Sequence, residues 1–314
     1  MPLLINNEFY EGIIFQTFLW AGLAISWNLM GGYAGQFSIG HIAFFGIGAY
    51  TSTILNIRFA IIPWIGIIIG GLIAIVIGVL LGVICFRLRG IFYTLATLAF
   101  GQIIFITAMS YRELTKGSAG LLVPPKIGWS FMSFNNKLPY VYIAMVYMAV
   151  LLILTAIIER SKLGYYLMAY REDDEAARVI GVNTLKARLI IASISSFFMA
   201  VGGTIYAQYI FYIDPNSVLA INLSVQVALI TIVGGLGSVF GPVLGAFLII
   251  PLSQLLRAWL GGAIPGLHMI IYGVILIIVL LVIPDGLFPF IKDLWKKNLL
   301  TGRGAKNVKN KEFK

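Results

Sequence analysis

Four consecutive carboxylates, Glu172, Asp173, Asp174 and Glu175, form the densest acidic run in the chain, and Ala176, Ala177, Val179, Gly181 and Asn183 follow them. Acidic side chains in a first helical turn complement the partial positive charge of a helix N-terminus. Glycine suits the left-handed residue that ends a helix. The stretch therefore predicts a short helix over 173–180. A helix of that length is unstable alone in water and needs a surface to pack on. Its small residues and single apolar face suit a docking element. The alternative is an ordinary solvated connector.

A second polar group of residues lies in GGYAGQFSIGHIAFFGIGAY, residues 31–50, between strongly apolar stretches. Gln36, Ser38 and His41 bring hydrogen-bonding capacity there without a fixed charge. Gly31, Gly35 and Gly40 allow close helix approach and a helix break, provided the freed backbone faces protein or a cavity rather than lipid. Gly234, Gly237 and Gly241 make a comparable joint later in the chain. Packing accounts for most of these glycines. Gln36 and Ser38 are the candidates for lining a translocation path. His41 is grouped with them, although a buried imidazole bonded to a neighbour is the simpler reading. His268, the other histidine, carries no assigned role.

Other chemistries lack their residues. No Asp, Glu, Lys or Arg lies deep inside an apolar run, with Glu11 and Arg257 at edges. Ion-coupled carriers bury such groups as proton or sodium relays, so a secondary carrier is disfavoured. There is no carboxylate dyad and no HExxH for an intramembrane enzyme. No GxxxxGK[ST] loop is present to hydrolyse ATP by that route, so the energy for any pumping must come from a partner. The lone Cys85 excludes an intrachain disulfide framework or a multi-cysteine metal site.

The elements that must position these residues are membrane helices. The chain has 314 residues, of which 60% are hydrophobic and only 11% charged, with a mean hydropathy of +0.97. A soluble domain carries about a quarter charged residues. Nine apolar spans are expected, at 10–30, 37–56, 61–86, 91–110, 139–158, 187–209, 219–234, 241–260 and 263–283, with a range of eight to ten. With the C-terminus in the cytoplasm, the inside segments hold Arg87, Arg89, six Lys or Arg over 160–188 and eight in the tail. That is 16 of 22 basic residues and satisfies the positive-inside rule with the N-terminus outside. The N-terminus lacks the features of a signal peptide. Residues 1–290 read as one transmembrane domain with a charged cytoplasmic loop at 159–186. Residues 291–314 read as a basic cytoplasmic tail, suited to anionic lipid rather than nucleic acid.

Five stretches occur in an order that narrows the class: NLMGGYAGQFSIGHIAFFGIGAY (28–50), RLRGIFYTLATLAFGQI (87–103), LTKGSAGL (114–121), YREDDEAARVIGVN (170–183) and GGLGSVFGPVLGA (234–246). Glu175-Ala176-Ala177, with Gly181 four residues on, matches the EAA–xxx–G pattern of ABC importer permeases. Over nearly its whole length the chain resembles LivM-type permeases of branched-chain amino-acid ABC importers. The resemblance implies an all-helical, type II-like permease fold in a bacterial inner membrane, with 172–181 as the ATPase-coupling loop. It also implies a LivH-type permease as partner, two cytoplasmic ATPases that bind the ATP, and an external substrate-binding protein. No cofactor of the chain's own is implied. Urea permeases are related, which leaves urea or another small amide as the alternative substrate. In other classes stand a carrier or channel that works without ATPases, or a structural membrane protein.

Overall fold

Helix α1 (Glu8–Asn28) is apolar on every side, and a helix of that kind belongs inside a bundle. It is the central element: Phe15, Leu19, Leu23 and Trp27 are all 0% exposed. The computed structural model describes residues 7–260, 267–284, 286–290 and 292. After α1 come α2 (Ile42–Phe59), α3 (Pro63–Cys85), α4 (Ile91–Ser110), α5 (Arg112–Thr115), α6 (Leu138–Arg160) and α7 (Lys162–Glu172). The chain continues through α8 (Asp174–Val179), α9 (Thr184–Ile210), α10 (Pro215–Val218), α11 (Ile221–Gly234), α12 (Gly241–Leu260) and α13 (Leu267–Val282).

Packing places α2, α3 and α9 side by side on one flank of α1, and α6, α11 and α12 around the rest of it, with α13 against α12. Polar side chains bind the helices where lipid-like surroundings make an unpaired group costly. Ser26 Oγ donates to the Ser195 carbonyl at 2.8 Å, Thr231 Oγ1 to the Ala24 carbonyl at 3.2 Å, and Tyr147 Oη to the Phe198 carbonyl at 2.8 Å. Start signals are local: Asn7 caps α1, Pro63 opens α3, and Asp214 forms a capping box with Ser217 at α10.

The molecule is an all-α polytopic membrane protein. Seven helical stretches among the described residues are long and apolar enough to cross a membrane: those in α1, α3, α4, α6, α9, α10–α11 and α12. The second and ninth expected spans fall on α2 and α13, which are not among the seven; α13 has 16 residues. The count of nine therefore stays an expectation. Helix α2 is nonetheless embedded, with Phe44, Phe45 and Ala49 buried, while Arg58 near its C-terminal end donates to the Glu113 carbonyl at 2.8 Å. The segment between the fourth and fifth expected spans, 111–138, holds α5, two 3₁₀ turns and a strand, Leu121–Leu122, which pairs antiparallel with Tyr212–Ile213 just after α9. Apart from Lys292, the basic tail lies outside the described residues.

The α2–α9 seam depends on backbone contact. A Cβ at Gly48 would be driven into the Ala200 carbonyl, and one at Gly203 into the Phe45 carbonyl. Backbone atoms on both sides cannot swing away. Gly48→Ala is expected to destabilise the protein by about 1–3 kcal/mol or more. Gly273→Ala, in open space within α13, should stay within about 0.5 kcal/mol of the parent. Thermal unfolding in one detergent compares the two.

Candidate functional site

The break expected near 31–41 is built in two steps. Helix α1 runs into a π-turn, Leu29–Tyr33, and the chain then crosses residues 34–41 without regular helix before α2 begins. Each peptide group freed there needs a partner. Gln36 N–H donates to the Met30 carbonyl at 2.9 Å, Trp27 Nε1 to the Ser38 carbonyl at 2.7 Å, and Thr94 Oγ1 to the Phe37 carbonyl at 2.9 Å. The Gly32 carbonyl accepts from Arg171 Nη1 of α7 at 2.8 Å.

The glycine joint between α11 and α12 meets this break. Asn28 donates through Nδ2 to the Ser238 carbonyl at 3.0 Å and accepts at Oδ1 from the Gly237 N–H at 2.9 Å. A Cβ at Gly32 would crowd the Asn28 amide and the Gly237 nitrogen, and Gly237 itself sits at φ +71°. The other expected packing glycines are close-packed as well. A Cβ would meet the Trp27 ring at Gly31, Arg171 Cγ at Gly35, the Thr97 carbonyl at Gly40, the Gly241 carbonyl at Gly234, and Ser238 Oγ at Gly241.

The three polar candidates separate. Gln36 is 4% exposed, and its Nε2 donates to the Tyr170 hydroxyl of α7 at 2.6 Å. Its Oε1 is buried with no hydrogen-bond partner. With Gly35, Phe37 and the first turn of α4 it lines a cavity of about 410 Å³. Ser38 and His41 instead border a void of about 10 Å³, at the lower limit for a single water. His41 Nε2 lies 2.7 Å from Ser195 Oγ, whose own proton goes to the Ser26 carbonyl. The serine must therefore accept from the ring, which places the imidazole proton on Nε2. His41 is thus a bonded, buried histidine joining α2 to α9 and α1.

The expected short helix over 173–180 is present as α8. Asp173 caps it, accepting from the N–H groups of Glu175 at 2.8 Å and Ala176 at 3.1 Å. Gly181 ends it at φ +88°: Gly181 N–H bonds the Arg178 carbonyl and Val182 N–H the Ala177 carbonyl, both at 3.0 Å. This is the Schellman arrangement. Asp174 braces α8 from below, taking Arg178 Nη2 at 2.9 Å, Arg89 Nη2 at 3.1 Å and Thr184 Oγ1 at 3.0 Å. Glu172, Glu175 and Ala176 are exposed. The small residue expected at a docking contact, Ala177, is only 2% exposed and packs inward. The outward apolar pair is Val179 at 86% and Ile180 at 76%.

Sequence reasoning missed the residues that connect α8 to the break. Tyr170 and Arg171 adjoin the acidic run, and Arg188 lies in the first turn of the span expected at 187–209. Arg188 is 2% exposed; it donates to the Phe86 carbonyl at 3.0 Å, the Tyr170 hydroxyl at 3.1 Å and the Thr184 carbonyl at 3.3 Å. Its plane faces the rings of Phe86 and Tyr170 at 5.0 and 4.4 Å. The one available signal was an arginine at the very start of an apolar run.

A buried helical bundle, a hydrogen-bonded interruption and an exposed short helix tied to it define a membrane permease. The chain belongs to the family described as branched-chain amino acid transport system / permease component, which matches residues 9–280. It is 28% identical over 303 residues to the high-affinity branched-chain amino acid transport system permease protein LivM of Escherichia coli K12, covering 89% of this chain and 70% of that one. It is 25% identical to LivH of the same organism over 299 residues, 90% and 94% of the two chains. A fructose import permease, FrcC of Rhizobium meliloti, is 28% identical over 165 residues, 51% of this chain and 45% of its own. No solved structure matches. The protein is a transport component rather than an enzyme.

The Tyr170 hydroxyl is shared by Gln36 and Arg188, so the two contacts should be energetically coupled. Tyr170→Phe is expected to cost about 1–3 kcal/mol by leaving buried donors short of an acceptor. In a double-mutant cycle with Gln36→Leu, the combined loss should fall short of the sum by about 0.5 kcal/mol or more. Strict additivity in thermal or denaturant unfolding would show that the hydroxyl does not bridge them.

Proposed function

We propose that this chain is the permease subunit of an ATP-driven importer for branched-chain amino acids in a bacterial plasma membrane. It pairs with a LivH-type permease, is driven by two cytoplasmic ATPases that bind the ATP, and receives substrate from an external binding protein. The C-terminus and the α7–α8 segment face the cytoplasm. The observation that carries the reading is the tie between α8 and the break: α8 presents Val179 and Ile180 outward, while Tyr170 and Arg171 of the adjoining α7 bond Gln36 and the Gly32 carbonyl. A force applied to α8 therefore reaches the interruption of α1 through two hydrogen bonds. The cavity beside Gln36 is lined by uncharged residues, so it offers a zwitterionic substrate a passage without a charge that would hold it. The matching family and the LivM and LivH relatives support the substrate class.

The test is reconstitution with the four partners and labelled leucine. Uptake should require ATP, and isoleucine and valine should compete where urea and fructose do not. Uptake by this chain alone under a proton or sodium gradient would reject the reading.

The docking role has its own test. Val179→Asp should leave thermal stability within about 0.5 kcal/mol, since the side chain touches solvent, yet lose co-purification of the ATPases. Gly181→Val should strain the left-handed stop by about 1–3 kcal/mol, and Ala177→Trp should overfill the inner face of α8 by a similar amount. ATPase association that survives Val179→Asp unchanged would make α8 a plain connector.

A further inference from the structure

A second cavity, of about 690 Å³, opens where the end of α3, the turn after it, α8 and the start of α9 meet. Its walls carry Arg87, Arg89, Arg178 and Arg188 against the carboxylate of Asp174, and Glu175 reaches Arg89 at 3.7 Å, which leaves an excess of two positive charges. The Asp174 carboxylate is already engaged by Arg89, Arg178 and Thr184. Arg188 is 2% exposed and has no carboxylate within ion-pair distance among the described residues. Its Nε and Nη1 serve two carbonyls and the Tyr170 hydroxyl, whereas its Nη2 makes no hydrogen bond among the described residues. A guanidinium almost wholly withdrawn from water, with one nitrogen unpartnered at the wall of a basic cavity, calls for an anion.

The rim of the cavity shows where the anion comes from. Val83 and Leu185, at 49% and 44% exposed, line its edge. Val83 ends a stripe of exposed apolar residues on α3, namely Ile65, Ile68, Leu72, Val76 and Leu80, spaced three or four apart along the most apolar of the seven membrane-length stretches. Arginines at the end of an exposed apolar stripe on a membrane-length helix match an amphiphile whose head is anionic and whose tails are hydrocarbon. We propose that this cavity binds the phosphate headgroup of an anionic lipid, with its acyl chains along the α3 stripe. The guanidiniums of Arg188 and Arg87 face the phosphate oxygens. Because Asp174, Arg89 and Arg178 also hold α8, a bound lipid would brace that helix. The proposal needs only the membrane setting and does not depend on the transported substrate.

The experiment uses the full chain purified in a neutral detergent. Phosphatidylglycerol, phosphatidylcholine and inorganic phosphate are each titrated, and binding is read by thermal shift and native mass spectrometry. Phosphatidylglycerol should bind saturably and more tightly than phosphatidylcholine, and added salt should weaken it. Arg87→Gln with Arg89→Gln should lower that affinity about tenfold or more, at roughly 1 kcal/mol per arginine near a lipid surface. Arg87→Lys with Arg89→Lys should restore most of it. Equal binding of the two lipids, or undiminished binding by the Gln pair, would overturn the proposal. Full protection by inorganic phosphate alone would make this a free-anion site and also overturn it. So would displacement of the lipid by added ATPase subunits, which would assign the cavity to a protein partner. If the Gln pair does not fold, the salt titration of the parent decides, and salt-independent phosphatidylglycerol binding counts against the lipid.

Discussion

A helix interrupted inside an apolar bundle releases peptide groups that water cannot reach, and each must find a partner in protein. The arrangement of this molecule follows from how that is met at 29–41. The π-turn and the segment after it place carbonyls at Met30, Gly32, Phe37 and Ser38, and the partners come from four places: the Gln36 amide, Arg171, Thr94 and Trp27. Three of these are side chains from α7, α4 and α1. The interruption therefore cannot form alone; it is completed only when those elements dock.

This requirement makes the break, the second glycine joint and α7 one polar assembly. Asn28 uses both ends of its amide to hold Gly237 and Ser238, and Gly237 sits close enough to Arg171 that a Cβ there would lie 2.8 Å from Nη1. Such an assembly is rigid in the sense that matters for coupling, because a shift of α7 would break the Arg171–Gly32 and Gln36–Tyr170 bonds together. On the proposed reading, a displacement of α8 by an ATPase would move the Arg171–Gly32 contact and, through it, both interruptions together. The halves of the bundle on either side of α1 would respond as one.

Seven of the nine expected spans were legible because they depend on composition alone, and α8 was legible because capping and stop signals are local: Asp173, Glu175 and Gly181 lie within nine residues. What the sequence could not show depends on distance. Gln36 meets Tyr170 across 134 positions, Arg171 meets Gly32 across 139, and Arg188 meets Phe86 across 102. Nothing in the local pattern of any of these residues announces its partner. The facing of α8 failed for a related reason. Small residues suit a contact with an external partner and a contact with the chain's own helices equally well, and only the folded surroundings of α8 decide that Ala177 turns inward. His41 and Ser38 were grouped with Gln36 because all are polar and close in sequence. The void beside the first two and the cavity beside the third separate them.

Arg188 shows how most of a charge's hydration can be replaced at the foot of an apolar helix, leaving Nη2 alone for the anion proposed above. A buried ion is costly unless hydrogen bonds and local dipoles replace its hydration. Here two carbonyls and a phenol oxygen accept from the guanidinium, while the rings of Phe86 and Tyr170 lie beside its plane and supply cation–π attraction. A lysine could not reproduce this, since an ammonium has neither the planar fork nor the stacking surface. The same residue touches the end of α3 through Phe86, α7 through Tyr170 and the start of α9 through Thr184. It therefore fixes the orientation of the α7–α8 segment relative to the helices on either side. The Gln36 side chain depends on that orientation, because the only acceptor of its Nε2 among the described residues is the phenol that Arg188 holds in place.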